Sequence, residues 1–574
     1  MQLSTLDWTI ISAFFIISLA IGIWINKKAG STSTEFFLSG RNMPWWLLGV
    51  SMVATTFAAD TPNFVANVVR KNGVAGNWEW WAFLVTGMLT VFIYAKLWRK
   101  LGVTTDLEFY EIRYKGKIAS FLRGFRAIYL GVFFNVVIMA NVMLAGVKIG
   151  HVMLGLSPFQ TLFIASVVTV IYSILGGLKG VLITDFFQFI IAMVGSVLAA
   201  YFIINLPEVN GLDNLFQNEL VQSKMALVPS RETNYDLWLS VLIVPLAVQW
   251  WSVWYPGAEP GGGGYIAQRM LAAKDEKHAT AATLFFNFAH YALRPWPWII
   301  IALASLIIFP DLASLQEQFP ELPASLVKDD LAYPAMLTFL PAGLLGLVIA
   351  SLVAAFMSTI STHLNWGSSY VTFDFYKRFI NPEASEKKLV LIGRISTVIM
   401  IILAAALSLI LEEAKEGFNL ILQIGAGTGL LFILRWFWKA INPYSEIAAM
   451  GISFLVAAVF FIGDESFGWE IANTTRLLYG VGITTLGWVL VTLLTRNADL
   501  ENPEFDQRAF DSQGPWKGIG IKVVGIFAGS IGIYAALFGT GYWLYGQHQL
   551  ALIFGLIFIA MSIMIGFLWK KLFD

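Results

Sequence analysis

The chain has 574 residues, with 37 Lys+Arg against 37 Asp+Glu, 13% charged and 57% hydrophobic residues and no cysteine, and its mean hydropathy is +0.70. A soluble chain carries about a quarter charged residues, so a water-facing surface is excluded for most of this one and an integral membrane protein is expected. The lack of a cationic excess removes the electrostatic case for nucleic acid, and the lack of cysteine excludes disulfides, thiolate metal sites and thiol chemistry.

A helix needs about 20 mainly apolar residues to cross the hydrocarbon. Fifteen candidate spans meet this need: 8–26, 43–69, 78–95, 127–154, 158–176, 181–205, 236–256, 279–309, 335–370, 389–411, 418–434, 444–463, 477–495, 523–543 and 549–569. The first follows no basic region and no small-residue cleavage site, so a retained helix is expected rather than a signal peptide. The fold class is therefore an all-α bundle in the lipid bilayer. Loop cations divide 28 to 7 between segments after odd-numbered and even-numbered spans. The richer side faces the cytoplasm by the positive-inside rule, which places the N-terminus outside and the C-terminus inside a plasma or inner membrane.

The second span carries Ala54, Thr55, Thr56, Phe57, Asp60, Thr61 and Pro62 at mid-depth. Proline removes a donor and crowds the carbonyl four residues back, so the turn around Ala58 is expected to loosen. A simple packed kink and an ion site suit this segment equally. Trp78 and Glu79 fall at the outer end of the third span, while Lys148 and His151 lie close enough to a helix end to snorkel. Asp185 follows the Gly176-Gly177-Leu178-Lys179-Gly180 turn; it suits a cation ligand, a partner for Lys179 or a helix N-terminal charge.

The seventh span runs into Gly257-Ala258-Glu259-Pro260 and then Gly261 to Gly264 before Tyr265. Four consecutive glycines cannot hold a stable helix, so an unwound stretch is expected, and without a GK[ST] ending it is no phosphate loop. His290 and Arg294 share a face of the eighth span, suited either to a solute's hydroxyls or carboxylate or to anchoring the break at Pro295 and Pro297. In the ninth span Ala355, Ser358, Thr359 and Thr362 follow helical spacing on one face. Three hydroxyls there suit a weakly held hard cation such as Na⁺, although in an arbitrary membrane helix such a face is more often a small-residue helix contact whose Ser and Thr bond their own backbone. No catalytic motif is visible and the five histidines are scattered, so neither an enzyme nor a metal cluster is expected.

Three segments together resemble the sodium/solute symporter family: Gly176 to Gln188 (GGLKGVLITDFFQ), Tyr265 to Lys274 (YIAQRMLAAK), and Ala355 to Asn365 running on to Asp374-Phe375-Tyr376-Lys377. The resemblance implies a five-plus-five inverted repeat of the leucine-transporter kind. An N-terminal extra helix (1–42) precedes repeats at 43–205 and 236–440, which an external loop (206–235) separates, and four extra helices follow (441–574). It places the interruption near Ala58 and the glycine run at equivalent positions, which points to a midplane binding site.

It further implies a main Na⁺ site from the carbonyls of Ala54, Phe57 and Ala355 with the hydroxyls of Ser358 and Thr359. A second Na⁺ would use Asp185, Ser361 and Thr362. Glu79 matches a sugar-contacting acid, His290 a lysine position and Tyr265 a gating tyrosine, and Trp78, Thr61 and Arg294 join them as solute contacts. Gly263-Gly264 stand where an Asn-Gln pair is common, and Glu259-Pro260-Gly261 looks like an insertion. The expected activity is symport of Na⁺ with a sugar, polyol or sugar acid; the alternatives are an amino acid or carboxylate as solute, or a sensor that keeps the fold. No signalling domain follows Asp574, which disfavours the sensor.

Overall fold

A computed structural model describes residues 3–29, 32–320, 322, 324, 327–411, 414–496, 500–512 and 514–573. Among them every regular element is a helix, and eleven helices are long and apolar enough to cross a membrane. The side chains of Lys27, Lys28 and Lys415, three of the sorted cations, lie outside the described ones.

The second span is interrupted where the sequence suggested. Helix Trp45–Thr56 stops at Phe57 (φ −92°, ψ 73°), and helix Asp60–Asn72 restarts the path. Pro62 lies in the first turn of that second helix, where a missing N–H costs no internal bond. The expected spans 158–176 and 181–205 are two helical segments within Pro158–Ile204, the first opened by a Ser157–Gln160 capping box and the two parted by a kink at Gly177, whose backbone is not helical (φ 53°, ψ −161°). A side chain at Gly177 would begin 2.7 Å from the Phe36 carbonyl oxygen, so only glycine lets the two segments approach.

Three boundaries differ from expectation. The seventh span does not end at the glycine run: after the non-helical path through Gly257, Gly261 and Gly262 (φ 84°, 80° and 71°), the buried helix Gly264–Ala272 resumes it. Arg269, sorted as a loop cation, is therefore buried on a helix. The ninth span begins at Leu344 rather than 335, because Gly343 (φ 85°) separates it from the short helix Ala332–Leu337. Asp7 Oδ1 accepts from the N–H groups of Gly343 and Gly346, both at 2.7 Å, so the first helix caps the ninth. The eleventh span is divided into Ala414–Gly425 and Gly429–Leu434 around Gly427 (φ 80°).

Lys148 does not snorkel. It is 5% exposed and its Nζ lies 2.8 Å from Asp330 Oδ2, a buried pair with an acid 182 residues away in the chain. His151 is exposed, and its Nδ1 lies 3.3 Å from the Leu156 carbonyl oxygen.

Candidate functional site

Helix Leu344–Ser369 packs against both Pro158–Ile204 and Trp45–Thr56, and its polar face meets them in the buried interior. Thr359 Oγ1 donates to the carbonyl oxygens of Thr55 (2.8 Å) and Ala355 (3.1 Å). Ser358 Oγ donates to Asp185 Oδ1 at 2.7 Å, and Ser51 Oγ donates to Asp185 Oδ2 at 2.5 Å. The Ala54 carbonyl oxygen accepts from the Phe57 N–H at 3.2 Å in the closing turn of its helix. These atoms form a small cluster of neutral oxygens with one carboxylate beside it, a donor set that fits a hard monovalent cation.

The residues expected for a second cation fall in the same network. Thr362 Oγ1 lies 2.9 Å from Thr55 Oγ1 and accepts from Arg269 Nη2 at 2.7 Å. Arg269 Nη2 also lies 3.9 Å from Asp185 Oδ2, and Arg269 Nε donates to Ser51 Oγ at 3.3 Å. Ser361 Oγ instead donates to the Ser358 carbonyl oxygen at 3.0 Å. Asp185 thus has Ser51, Ser358 and Arg269 as neighbours. No ion pair with Lys179 is found among the described residues, and Asp185 sits two turns past the bend at Gly177, away from a helix terminus. Arg269 and Ser51 were missed as partners of Asp185. Arg269 stood in the quoted Tyr265 to Lys274 segment, but only the resumed helix aims it inward.

Both interruptions open onto one cavity of about 150 Å³, bordered by Ala58 and Thr61 from the first and by Pro256 and Gly257 from the second. Thr359 reaches this cavity from the hydroxyl face, so the solute-sized space and the oxygen cluster adjoin. Thr61, Tyr265, His290 and Arg294, four of the solute contacts named from sequence, line it. His290 Nδ1 lies 2.9 Å from Thr56 Oγ1, and Arg294 Nη2 lies 3.2 Å from His290 Nε2. Arg294 is 2% exposed and its Nη1 has no hydrogen-bond partner among the described residues. A buried donor left unpaired in this way is costly, and a ligand oxygen would satisfy it.

Two expected solute contacts do not reach the cavity. Trp78 Nε1 donates to the Leu227 carbonyl oxygen at 3.0 Å and its ring packs on Trp81 and Tyr534. Glu79 borders a separate, more open space with Asn72, Asp236 and Gln249. Trp78–Trp81 is one helical turn, so successive residues point about 100° apart, and of the four only Trp80 lines the cavity. Trp80 stacks on Tyr291 (5.8 Å, 23°), and both line the cavity with Asp60. None of these three was assigned as a solute contact from sequence, although Asp60 stands out as an acid at the restart of a broken helix.

The unwound stretch is itself anchored. Glu259 Oε2 accepts from the Gly257 N–H at 3.0 Å, Trp98 Nε1 donates to the Gly261 carbonyl oxygen at 2.9 Å, and Asp106 Oδ2 accepts from the Gly264 N–H at 3.1 Å.

Comparison with known proteins adds to this geometry. A sequence profile described as the sodium:solute symporter family matches residues 36–452. A sodium/glucose cotransporter of Vibrio parahaemolyticus is 28% identical over 469 residues, which cover 78% of this chain and 83% of that protein. Sodium/glucose cotransporter 1 of Oryctolagus cuniculus is 26% identical over 517 residues, covering 83% and 75%. Among solved structures, a Na⁺-coupled sialic acid symporter in a substrate-bound outward-open state superposes with a TM-score of 0.67 at 20% identity, covering 86% of this chain and 98% of that one. That likeness is one of fold.

Proposed function

The chain belongs to the sodium:solute symporter family, and from that premise we propose that it imports a small polar organic solute together with Na⁺ by alternating access, a sugar, polyol or sugar acid being the favoured class. The observation that carries this reading is the convergence of two interrupted helices on one cavity that adjoins the Thr359 hydroxyl. Interrupted helices expose backbone carbonyls to a cation without placing them against lipid.

In the proposed cycle Na⁺ is a transported substrate held between the end of Trp45–Thr56 and the Leu344–Ser369 helix, by the carbonyls of Ala54, Phe57 and Ala355 and the hydroxyls of Ser358 and Thr359. Such bridging stabilises the arrangement in which those helices are close. A ligand shifts a conformational equilibrium only by its differential affinity for the two states, so Na⁺ and solute favour one another when both prefer the same arrangement. A second Na⁺ at Asp185, Ser361 and Thr362 belongs to the proposal with one condition. The Arg269 guanidinium already faces Asp185 and Thr362, so the ion has to displace it. The five-plus-five layout, fifteen spans and cytoplasmic C-terminus complete the proposed arrangement.

The solute preference rests on the cavity wall. The faces of Trp80 and Tyr291 suit the C–H face of a sugar ring, while Arg294, His290 and Thr61 supply hydrogen bonds. An amino acid is the second reading, favoured by one observation: Asp60 and Arg294, of opposite charge, line the same cavity. A thermal-shift screen of small solutes with and without Na⁺ tests the preference. Stabilisation by hexoses or polyols, enlarged by Na⁺, is expected; stabilisation by amino acids alone contradicts it.

A further inference from the structure

Far from the central cavity, five lysines converge on one small space of about 80 Å³: Lys96, Lys100, Lys517, Lys522 and Lys571 border it, with Asp511 as its carboxylate. They come from three distant parts of the chain. Lys96 and Lys100 lie on helix Ala95–Leu101, which continues the path of the third span, Lys517 and Lys522 flank the start of helix Ile519–Leu544, and Lys571 lies in the last turn of helix His548–Phe573. Asp511 Oδ1 lies 2.7 Å from Lys100 Nζ and Asp511 Oδ2 lies 3.6 Å from Lys96 Nζ, while Glu276 adds a longer contact to Lys96 at 3.8 Å. Lys517, Lys522 and Lys571 have no carboxylate within ion-pair distance among the described residues. Like charges gathered in this way repel unless an anion neutralises them.

We propose that this space binds the phosphate headgroup of an anionic phospholipid, which ties the last two helices to the transporter core. Two observations select a lipid over a small soluble anion. First, the walls between the lysines are apolar, with Phe92, Phe510, Ile521 and Phe573 among them. Second, helix His548–Phe573 has no buried residue, and its Leu552, Leu556, Ile563 and Phe567 stand exposed in a row that leads away from Lys571. That row gives acyl chains a surface beside the headgroup. Trp516, 61% exposed and adjacent to Lys517, is the kind of residue found at the headgroup level. Every one of the five lysines is on the side proposed to be cytoplasmic, where leaflets are anionic and each nearby lysine contributes about 1 kcal/mol of attraction. Headgroup binding therefore gives the C-terminal helix pair a role outside the solute path: its attachment depends on lipid charge.

Purified protein in phosphatidylcholine nanodiscs, with or without phosphatidylglycerol, tests this without any transport assay, so it can fail independently of the proposed symport. Phosphatidylglycerol is expected to stay bound in native mass spectrometry and to raise the melting temperature, whereas phosphatidylcholine and inorganic phosphate do neither. The Lys517→Gln/Lys522→Gln/Lys571→Gln variant is expected to lose retention by on the order of a hundredfold, from three lysines at about tenfold or less each; the corresponding triple Lys→Arg variant keeps it. Equal retention by the Gln variant overturns the proposal, as does an equal shift with inorganic phosphate, which marks a small-anion site only. Should the triple variant fold poorly, Lys571→Gln alone, at an exposed position, gives the same reading: reduced retention supports the lipid, and unchanged retention contradicts it.

Discussion

Thr359 Oγ1 donates a hydrogen bond of 2.8 Å to the carbonyl oxygen of Thr55, so the hydroxyl face of the ninth span touches the broken second span one turn before its break. A cation at the proposed site would be held by both helices at once. Removing the two hydroxyls in Ser358→Ala/Thr359→Ala takes away two of five proposed ligands. The Na⁺ concentration for half-maximal solute binding is expected to rise at least tenfold, which is about 1.4 kcal/mol. Titration calorimetry against Na⁺ measures it; an unchanged Na⁺ dependence removes the assignment.

Arg294 lines the cavity, and its buried Nη1 has no hydrogen-bond partner among the described residues. A hydrogen bond to a charged group contributes about 1.5–3 kcal/mol, so Arg294→Gln is expected to weaken solute affinity roughly 10- to 150-fold. The neighbouring tryptophans separate the observed wall from the expected one. Trp80→Ala should weaken the solute strongly, whereas Trp78→Phe, a change of a residue turned away toward Leu227, should leave its affinity within about twofold. The reverse order would mean that the solute sits elsewhere.

The buried Lys148–Asp330 pair (2.8 Å) gives a stability prediction. Breaking a buried pair from one side costs about 3–5 kcal/mol because the other charge is left unpaired. Lys148→Met should lower the melting temperature in detergent markedly, and Lys148→Met/Asp330→Leu should recover most of the loss. A double variant no better than the single one would show that the acid's charge is not the source of the cost.

Outside the spans, Glu111 accepts from Arg123 Nη1 at 2.7 Å, from Arg378 Nε at 2.9 Å and from Ser120. Burial alone would raise its pKa, but the hydrogen bonds from Ser120 and Arg123 and the charge of Arg123 outweigh burial and hold it below the ordinary 4.5. A carboxylate lowered in the folded state contributes stability above its unfolded value, and that contribution is lost as pH falls through the lowered value. Melting temperature should therefore fall on acidification below about 4.5, and Glu111→Gln should flatten that part of the profile.

What could be read from sequence follows from what each signal encodes. The interruption at Ala58 and the unwound glycine run are backbone properties written locally by proline and glycine, and both are found. The hydroxyl face of the ninth span is a periodicity and is found as well. Arg269 facing Asp185, Trp80 rather than Trp78 or Glu79 lining the cavity, and Lys148 paired with Asp330 depend on which helix resumes, which way one turn points and which distant acid arrives. Those are tertiary facts, and composition carries no trace of them. The Asp7 cap on Gly343 and Gly346 explains why the ninth span starts later than hydropathy alone indicates.

The central claim is coupling of solute movement to Na⁺, and uptake into proteoliposomes under an imposed Na⁺ gradient tests it most directly. With a hexose or polyol that stabilises the protein in the presence of Na⁺, accumulation above the external concentration is expected while the gradient lasts, collapsing when Na⁺ is equal on both sides and absent in Ser358→Ala/Thr359→Ala. Uptake that only equilibrates, or that proceeds equally with K⁺ in place of Na⁺, would contradict the account.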